Sequence, residues 1–221
     1  MKTKEMNLKL LLAAAFGHLL CWLGGDMLLY LVPNGPLDTM QLFNYEKTAE
    51  TLEGANPVQF TISGIAGTVA MMLALLGYYQ IYRFLKPVAK GAANVALAGA
   101  LLTTIPGAVM HFTCTSMLWY FVRSGATREA HDIMLAFFTE TAATTAMCNI
   151  GVFMVCIALF VAVVSGRTCL PRWMCLVNTI PLTFIAGIVL AGMGAMNIGS
   201  ALMFLGLYFC IRKHGDTPIS E

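Results

Sequence analysis

Six apolar stretches follow one another along the chain, at Leu8–Val32, Gln59–Leu85, Ala92–Val122, Arg128–Val164, Trp173–Gly192 and Gly194–Ile211. A helix rises 1.5 Å per residue, so each is long enough to cross a hydrocarbon core of about 30 Å. The chain is 58% hydrophobic and 11% charged, more apolar surface than one water-soluble core can hide. In lipid only helices and closed barrels satisfy their own backbone groups, and these stretches lack the polar alternation of barrel strands. The expected fold is all-α, a polytopic six-helix transmembrane bundle forming one domain over residues 1–221.

Loop charges give the bundle a direction. With the N-terminus inside, Lys2, Lys4, Lys9, Arg83, Lys86, Lys90, Arg167, Arg172, Arg212 and Lys213 are cytoplasmic, against Lys47, Arg123 and Arg128 outside. This bias places both termini in the cytoplasm and points to a cell membrane, the inner membrane if the source is bacterial. The first stretch is too long for a signal h-region, and Leu20 stands before Cys21 where a lipoprotein site needs a small residue, so a retained span is expected. The formal charge of +2, scattered along the chain, argues against a nucleic-acid partner. The seven cysteines form no C-x-x-C pair and no outer-loop framework, and read as free packing thiols.

The outer loop 33–57 carries a capping-box pattern at Asp38 and a glycine at Gly54, which together predict a short helix near Thr39–Glu53. The third and fourth stretches would make helices of roughly 45 Å and 55 Å, against about 30 Å for the last two. An outer surface shaped as a cup with one low wall follows, the low wall lying at the short hairpin around Gly192–Gly194. Gly99, Thr103 and Gly107, and again Gly187 and Ala191, recur at four-residue spacing and predict close helix contacts.

Ionisable and amide groups inside the apolar stretches are where function is sought, because each needs a partner or a purpose in lipid. Counted along straight helices from the inner side, Asp26 lies about 27 Å up, His111 about 28 Å, Asn149 about 23 Å and Asn197 about 21 Å, with Glu140 near 36 Å. Four helices thus contribute to one outer polar layer. Asp26 shares a helix face with Trp22 and Tyr30, behind Gly24-Gly25, and reads either as a ligand-binding carboxylate or as an interfacial aspartate held by Tyr30 and water. His111 suits acid, base or ligand chemistry, or a neutral imidazole bonded to Thr115 or a neighbouring helix. Glu140 opens a run of threonines that forms either a hydroxyl-lined wall or a packing face whose hydroxyls bond back to their own helix. His18 lies near the membrane middle, about 80° around the helix from Asp26, which argues against a direct pair. Asn178 and Pro181 mark a local break, and Arg128, Glu129 and His131 read as an exposed outer turn.

Gly25-Asp26-Met27-Leu28-Leu29 in the first stretch and Asn197-Ile198-Gly199-Ser200-Ala201-Leu202-Met203-Phe204 in the last resemble a family of uncharacterised small bacterial six-helix membrane proteins. The resemblance carries no activity and directs attention to Asp26 and Asn197. No H-E-x-x-H, G-x-S-x-G or glycine-rich phosphate loop is present. Two functions fit. In the first, an outward-facing polar pocket binds a small amphipathic or lipid-like molecule, as a receptor or a membrane-embedded enzyme. Asp26, His111 and Glu140 are its candidate catalytic groups, and Tyr30, Asn149 and Asn197 orient the ligand. The alternative is a proton-coupled small-solute transporter. No cofactor is specified. An Asp26, His111, Glu140 set could hold a divalent cation, but helical spacing offers no local ligand pair, so no metal ligand is assigned.

Overall fold

The computed structural model describes residues 8–190 and 193–214. Lys2, Lys4, Ala191 and Gly192 lie outside the described residues. The fold is all-α, with seven helices among the described residues: α1 (Leu8–Tyr30), α2 (Tyr45–Leu52), α3 (Pro57–Leu85), α4 (Lys90–Arg123), α5 (Arg128–Val164), α6 (Thr179–Val189) and α7 (Ala195–His214). Five of them, α1, α3, α4, α5 and α7, are long and apolar enough to cross a membrane. Neighbours pack in the order α6, α7, α1, α3, α4, α5, and the segment Arg172–Leu176 returns against α5.

The expected fifth stretch departs from a continuous span. Arg172–Leu176 is a 3₁₀ turn, and only the 11 residues of α6 are helical, a rise of about 16 Å. Pro181 has no N–H to donate to a preceding turn, and it sits in the first turn of α6, where that donor would have no intrahelical partner. The chain restarts at Asn178, whose Nδ2 donates to the carbonyl of Cys156 on α5 at 2.9 Å and ties the restart to the bundle.

α4 and α5, of 34 and 37 residues, rise about 51 Å and 56 Å and overtop the rest. Their contact is close because glycines face each other. A Cβ on Gly99 would sit 2.7 Å from the Gly151 carbonyl, and one on Gly151 would strike the Thr103 amide. Pro106 sits inside α4 without ending it.

Large apolar side chains, among them Phe16, Ile65, Phe112, Phe153, Phe184 and Ile188, point outward from every long helix and from α6. Inside, among the described residues, are a small cluster of Cys21, Ala70 and Met71 and two large apolar cores. One joins Leu11, Ile81, Leu159, Phe204, Leu207 and Ile211; the other joins Val32, Leu42, Phe60, Leu118, Phe121 and Met134. The second includes the loop after α1, a short hairpin at Leu31–Val32 and Gly35–Pro36 followed by a 3₁₀ turn (Gln41–Phe43) and α2. α2 starts later than the capping pattern implied. Asn44 caps it by accepting from the Lys47 amide, while Asp38 accepts from Met40 in a local turn, and Gly54 ends the helical stretch at φ +75°.

This loop is clamped onto the tall helices. Arg128 bonds Glu46 at 2.6 Å and lies over the Tyr45 ring, and the Tyr45 hydroxyl donates to the carbonyl of Ala126. His131 corrects the reading of an exposed turn: it is buried, with Nε2 2.9 Å from the Leu42 carbonyl and its ring edge-on to Tyr45 and Phe121. Helix period alone could not reveal the loop that covers it. A hydrogen bond from its own backbone, and then the Arg128 side chain beside it, draw the Glu46 carboxyl below its ordinary pKa.

Overpacking a tight helix contact costs about 1–3 kcal/mol. Gly151→Leu should therefore lower the thermal midpoint of the purified protein by several degrees, whereas Gly91→Leu, with open space around its position, should leave it unchanged. A fluorescence-detected melt in detergent checks the contrast.

Candidate functional site

Between the two cores lies a thin layer in which polar side chains from four helices meet. α1 supplies His18, Cys21 and Asp26, all buried, and its backbone is what brings them round. Residues Cys21–Asp26 form a π-helical segment, closed by the Met27 amide bonding the Trp22 carbonyl. A π segment takes up one extra residue in the same turn, removing roughly 100° from the α-helical count. The 80° separating His18 from Asp26 on a regular helix thereby shrinks to about 20°. Gly24 and Gly25 lie inside the segment, and Ser63 of α3 donates to the Gly25 carbonyl at 2.6 Å. Gln59, one turn earlier on α3, donates to the Leu28 carbonyl at 3.0 Å.

Asn197, in the first turn of α7, stands between the two α1 side chains. Its Nδ2 donates to Asp26 Oδ2 at 2.8 Å and its Oδ1 lies 2.9 Å from His18 Nδ1. The carboxylate needs a donor, which turns the amide nitrogen toward Asp26 and the amide oxygen toward His18. His18 Nδ1 then carries the proton, and Nε2 accepts from the Tyr78 hydroxyl at 3.3 Å. Phe204 stacks on the His18 ring at 5.7 Å and Tyr78 meets it edge-on. His18 and Asp26 are thus joined through Asn197 rather than directly.

His111 of α4 reaches the layer from the other side. Its Nε2 is 3.0 Å from Cys21 Sγ. One ligand-type atom from each of Cys21, Asp26 and His111 lies within 4.8 Å of the other two, and all three residues are buried. Glycines make the space. A Cβ on Gly67 would sit 2.5 Å from His111 Cγ, and one on Gly194 would sit 2.6 Å from Asp26 Oδ2 and 2.5 Å from Trp22 Cδ1. Gly194, at φ +64°, is the turn into α7, so Asp26 lies directly beneath the tip of the α6–α7 hairpin. The indole Nε1 of Trp22 is buried beside it with no hydrogen-bond partner among the described residues.

The sequence-stated candidates divide. Asp26, His111 and Asn197 come together, and Tyr30 is half-buried one turn beyond Asp26. Glu140 and Asn149 do not join them: both are exposed on α5, on opposite sides of the helix. The threonines around them bond back to their own helix, Thr139 to Leu135, Thr141 to Phe137 and Thr144 to Thr141. Thr115 likewise bonds the His111 carbonyl rather than its ring. Cys21 and Tyr78 were not singled out as site residues. On a regular helix Cys21 and Asp26 stand about 140° apart, so no spacing rule links them, and the paired glycines were the one available sign of an irregular turn.

Asn197 holds two buried groups that have no water to turn to. Orphaning a buried polar group costs about 1–3 kcal/mol in soluble proteins, and hydrogen bonds in membranes average nearer 0.6 kcal/mol. Asn197→Leu should destabilise the folded protein by about 1–3 kcal/mol by the same measures, while Asn149→Leu at an exposed position should be neutral or stabilising. Denaturant unfolding of both variants in the same detergent decides it.

No curated protein and no solved structure matches the chain. One family profile does match, over residues 1–214, and on that match the chain belongs to DUF6796, a family of unknown function.

Proposed function

We propose that this protein is a six-pass protein of the cell membrane whose buried polar layer binds, and as an enzyme acts on, a small amphipathic or lipid-like molecule entering from the outer side. In this reading α6, extended by the 3₁₀ turn before it, makes the fifth pass, and both termini are cytoplasmic. The described chain ends support this: Leu11 near the start shares a core with Leu207 and Ile211 near the end. The basic residues Arg83, Lys86, Lys90, Arg167 and Arg172 flank the connections at the same end.

The observation that carries the functional reading is the meeting of Asp26 and His111 beneath the hairpin tip at Gly194, in a bundle whose other walls rise higher. A carboxylate and an imidazole in a water-poor layer supply a general base or acid and an electrostatic anchor for a polar head. Asn197 fixes the carboxylate, and the apolar surroundings suit a chain. Glu140 and Asn149 take no part, because they face away. A separate apolar groove of about 250 Å³ lies between α4 and α5, lined by Met117, Tyr120, Ile133 and Phe137 among others. It sits about 9 Å further along α4 and roughly 120° around it from His111, so it is not the site itself.

Proton-coupled transport draws some support from the line Tyr78, His18, Asn197, Asp26. Asn197 is an amide, however, and does not carry a proton from one neighbour to the next. The line therefore works better as a scaffold than as a wire.

Protein purified from membranes in mild detergent should retain a small amphipathic molecule identifiable by mass spectrometry of an organic extract. Asp26→Asn and His111→Ala should each reduce retention by at least about tenfold, the loss expected for one buried charged or hydrogen-bonded contact. Glu140→Gln should leave it unchanged. An empty wild-type protein, or retention indifferent to Asp26 and His111, sinks the reading.

A further inference from the structure

We infer that Cys21, Asp26 and His111 form a binding site for one transition-metal cation of the zinc class. The inference deepens the proposed function and rests on the same layer, but it is decided by a separate measurement.

The donor set is the first argument. Thiolate and imidazole select borderline and soft divalent ions over magnesium or calcium, and a carboxylate completes a common three-ligand set. A tetrahedral zinc ion with bonds of 2.0–2.3 Å places its ligand atoms roughly 3.3–3.6 Å apart. The three ligand atoms here fall within 4.8 Å, with Cys21 Sγ and His111 Nε2 already at 3.0 Å. Closing round an ion requires side-chain adjustment alone.

The second argument is the backbone. Cys21 and Asp26 are the first and last residues of the π segment. Without that irregular turn they would face different helices. π turns are uncommon and recur at functional sites, and here the turn brings two potential ligands to the same imidazole.

The third argument is charge. A thiolate and a carboxylate carry two negative charges, and the bound divalent ion cancels both, so the occupied site adds no net charge to the lipid-embedded layer. Binding releases the Cys21 thiol proton. Asn197 already orients the Asp26 carboxylate from behind, the role that outer partners of metal ligands commonly fill. With three protein ligands, a fourth position is left for water or a substrate oxygen, the arrangement found in catalytic rather than structural zinc sites.

The test uses the full chain purified in detergent, stripped with a chelator and titrated with Zn²⁺ and Co²⁺. Elemental analysis should give about one ion per chain, and the cobalt form should show a thiolate-to-cobalt charge-transfer band. Cys21→Ser should abolish that band, and Asp26→Asn and His111→Ala should weaken binding by more than about tenfold. Cys148→Ser, which alters a buried thiol outside the cluster, should change nothing. Wild-type protein that takes up neither ion overturns the inference without recourse to any variant, and so does a charge-transfer band that survives Cys21→Ser. Protein that takes up neither added ion yet retains an amphipathic molecule through Asp26 and His111 overturns this inference and leaves the proposed function standing. Stoichiometric metal with no retained molecule does the reverse.

Discussion

Asn197 ties the last helix to the first. In a membrane the apolar faces of two helices gain little by meeting, because lipid is as apolar as they are, and specific polar contacts and close packing decide which surfaces pair. One amide gives two directed bonds, to Asp26 and to His18, about 20° apart on the same side of α1 and one above the other. Those bonds fix the rotation and height of α7. They also set the depth of the hairpin tip, because Gly194 lies three residues before Asn197 and rests on Asp26. The low wall of the bundle and the position of its polar layer thus follow from the same contact.

The π segment is the local price of that contact. It makes the irregular carbonyls of α1 available to α3, and Ser63 and Gln59, one turn apart, take the carbonyls of Gly25 and Leu28. In lipid this satisfaction is obligatory, since no water can replace it. α3 has glycines where α4 comes close, Gly64 against Thr115 and Gly67 against His111, and polar side chains where α1 needs donors. Its inner face is therefore neither uniformly apolar nor uniformly small. The pattern matches one specific irregular neighbour.

Much of the architecture was legible because length and loop composition are read directly in lipid. The long third and fourth stretches follow from residue counts, and the short helix in the 33–57 loop from its capping pattern and Gly54. The fifth stretch is α-helical from Thr179 to Val189 because the helix restarts late at Asn178 and Pro181, a break those two residues mark and hydropathy does not see. At the site, Asp26, His111 and Asn197 were found because ionisable and amide groups stand out in an apolar run. His18 and Cys21 were displaced from them by a regular 100° rotation per residue, an assumption that fails across Cys21–Asp26. Glu140 and Asn149 stood out by the same chemistry and lie elsewhere. A depth count constrains height and says nothing about which way a helix faces.

Tightness is what distinguishes this polar layer from an ordinary membrane-buried network. Gly25 of α1 and Gly67 of α3 let the His111 ring lie close against both helices, and Gly194 lies close to Asp26 from the α7 side. Phe204 and Tyr78 fix His18. A solute pathway needs groups that change partners as it opens, whereas a site that polarises a bound group needs groups that stay put. Glycine walls, stacked rings and an amide bridging two fixed side chains belong to the second kind. In the function proposed above, such a layer would serve binding and chemistry in place rather than passage through it.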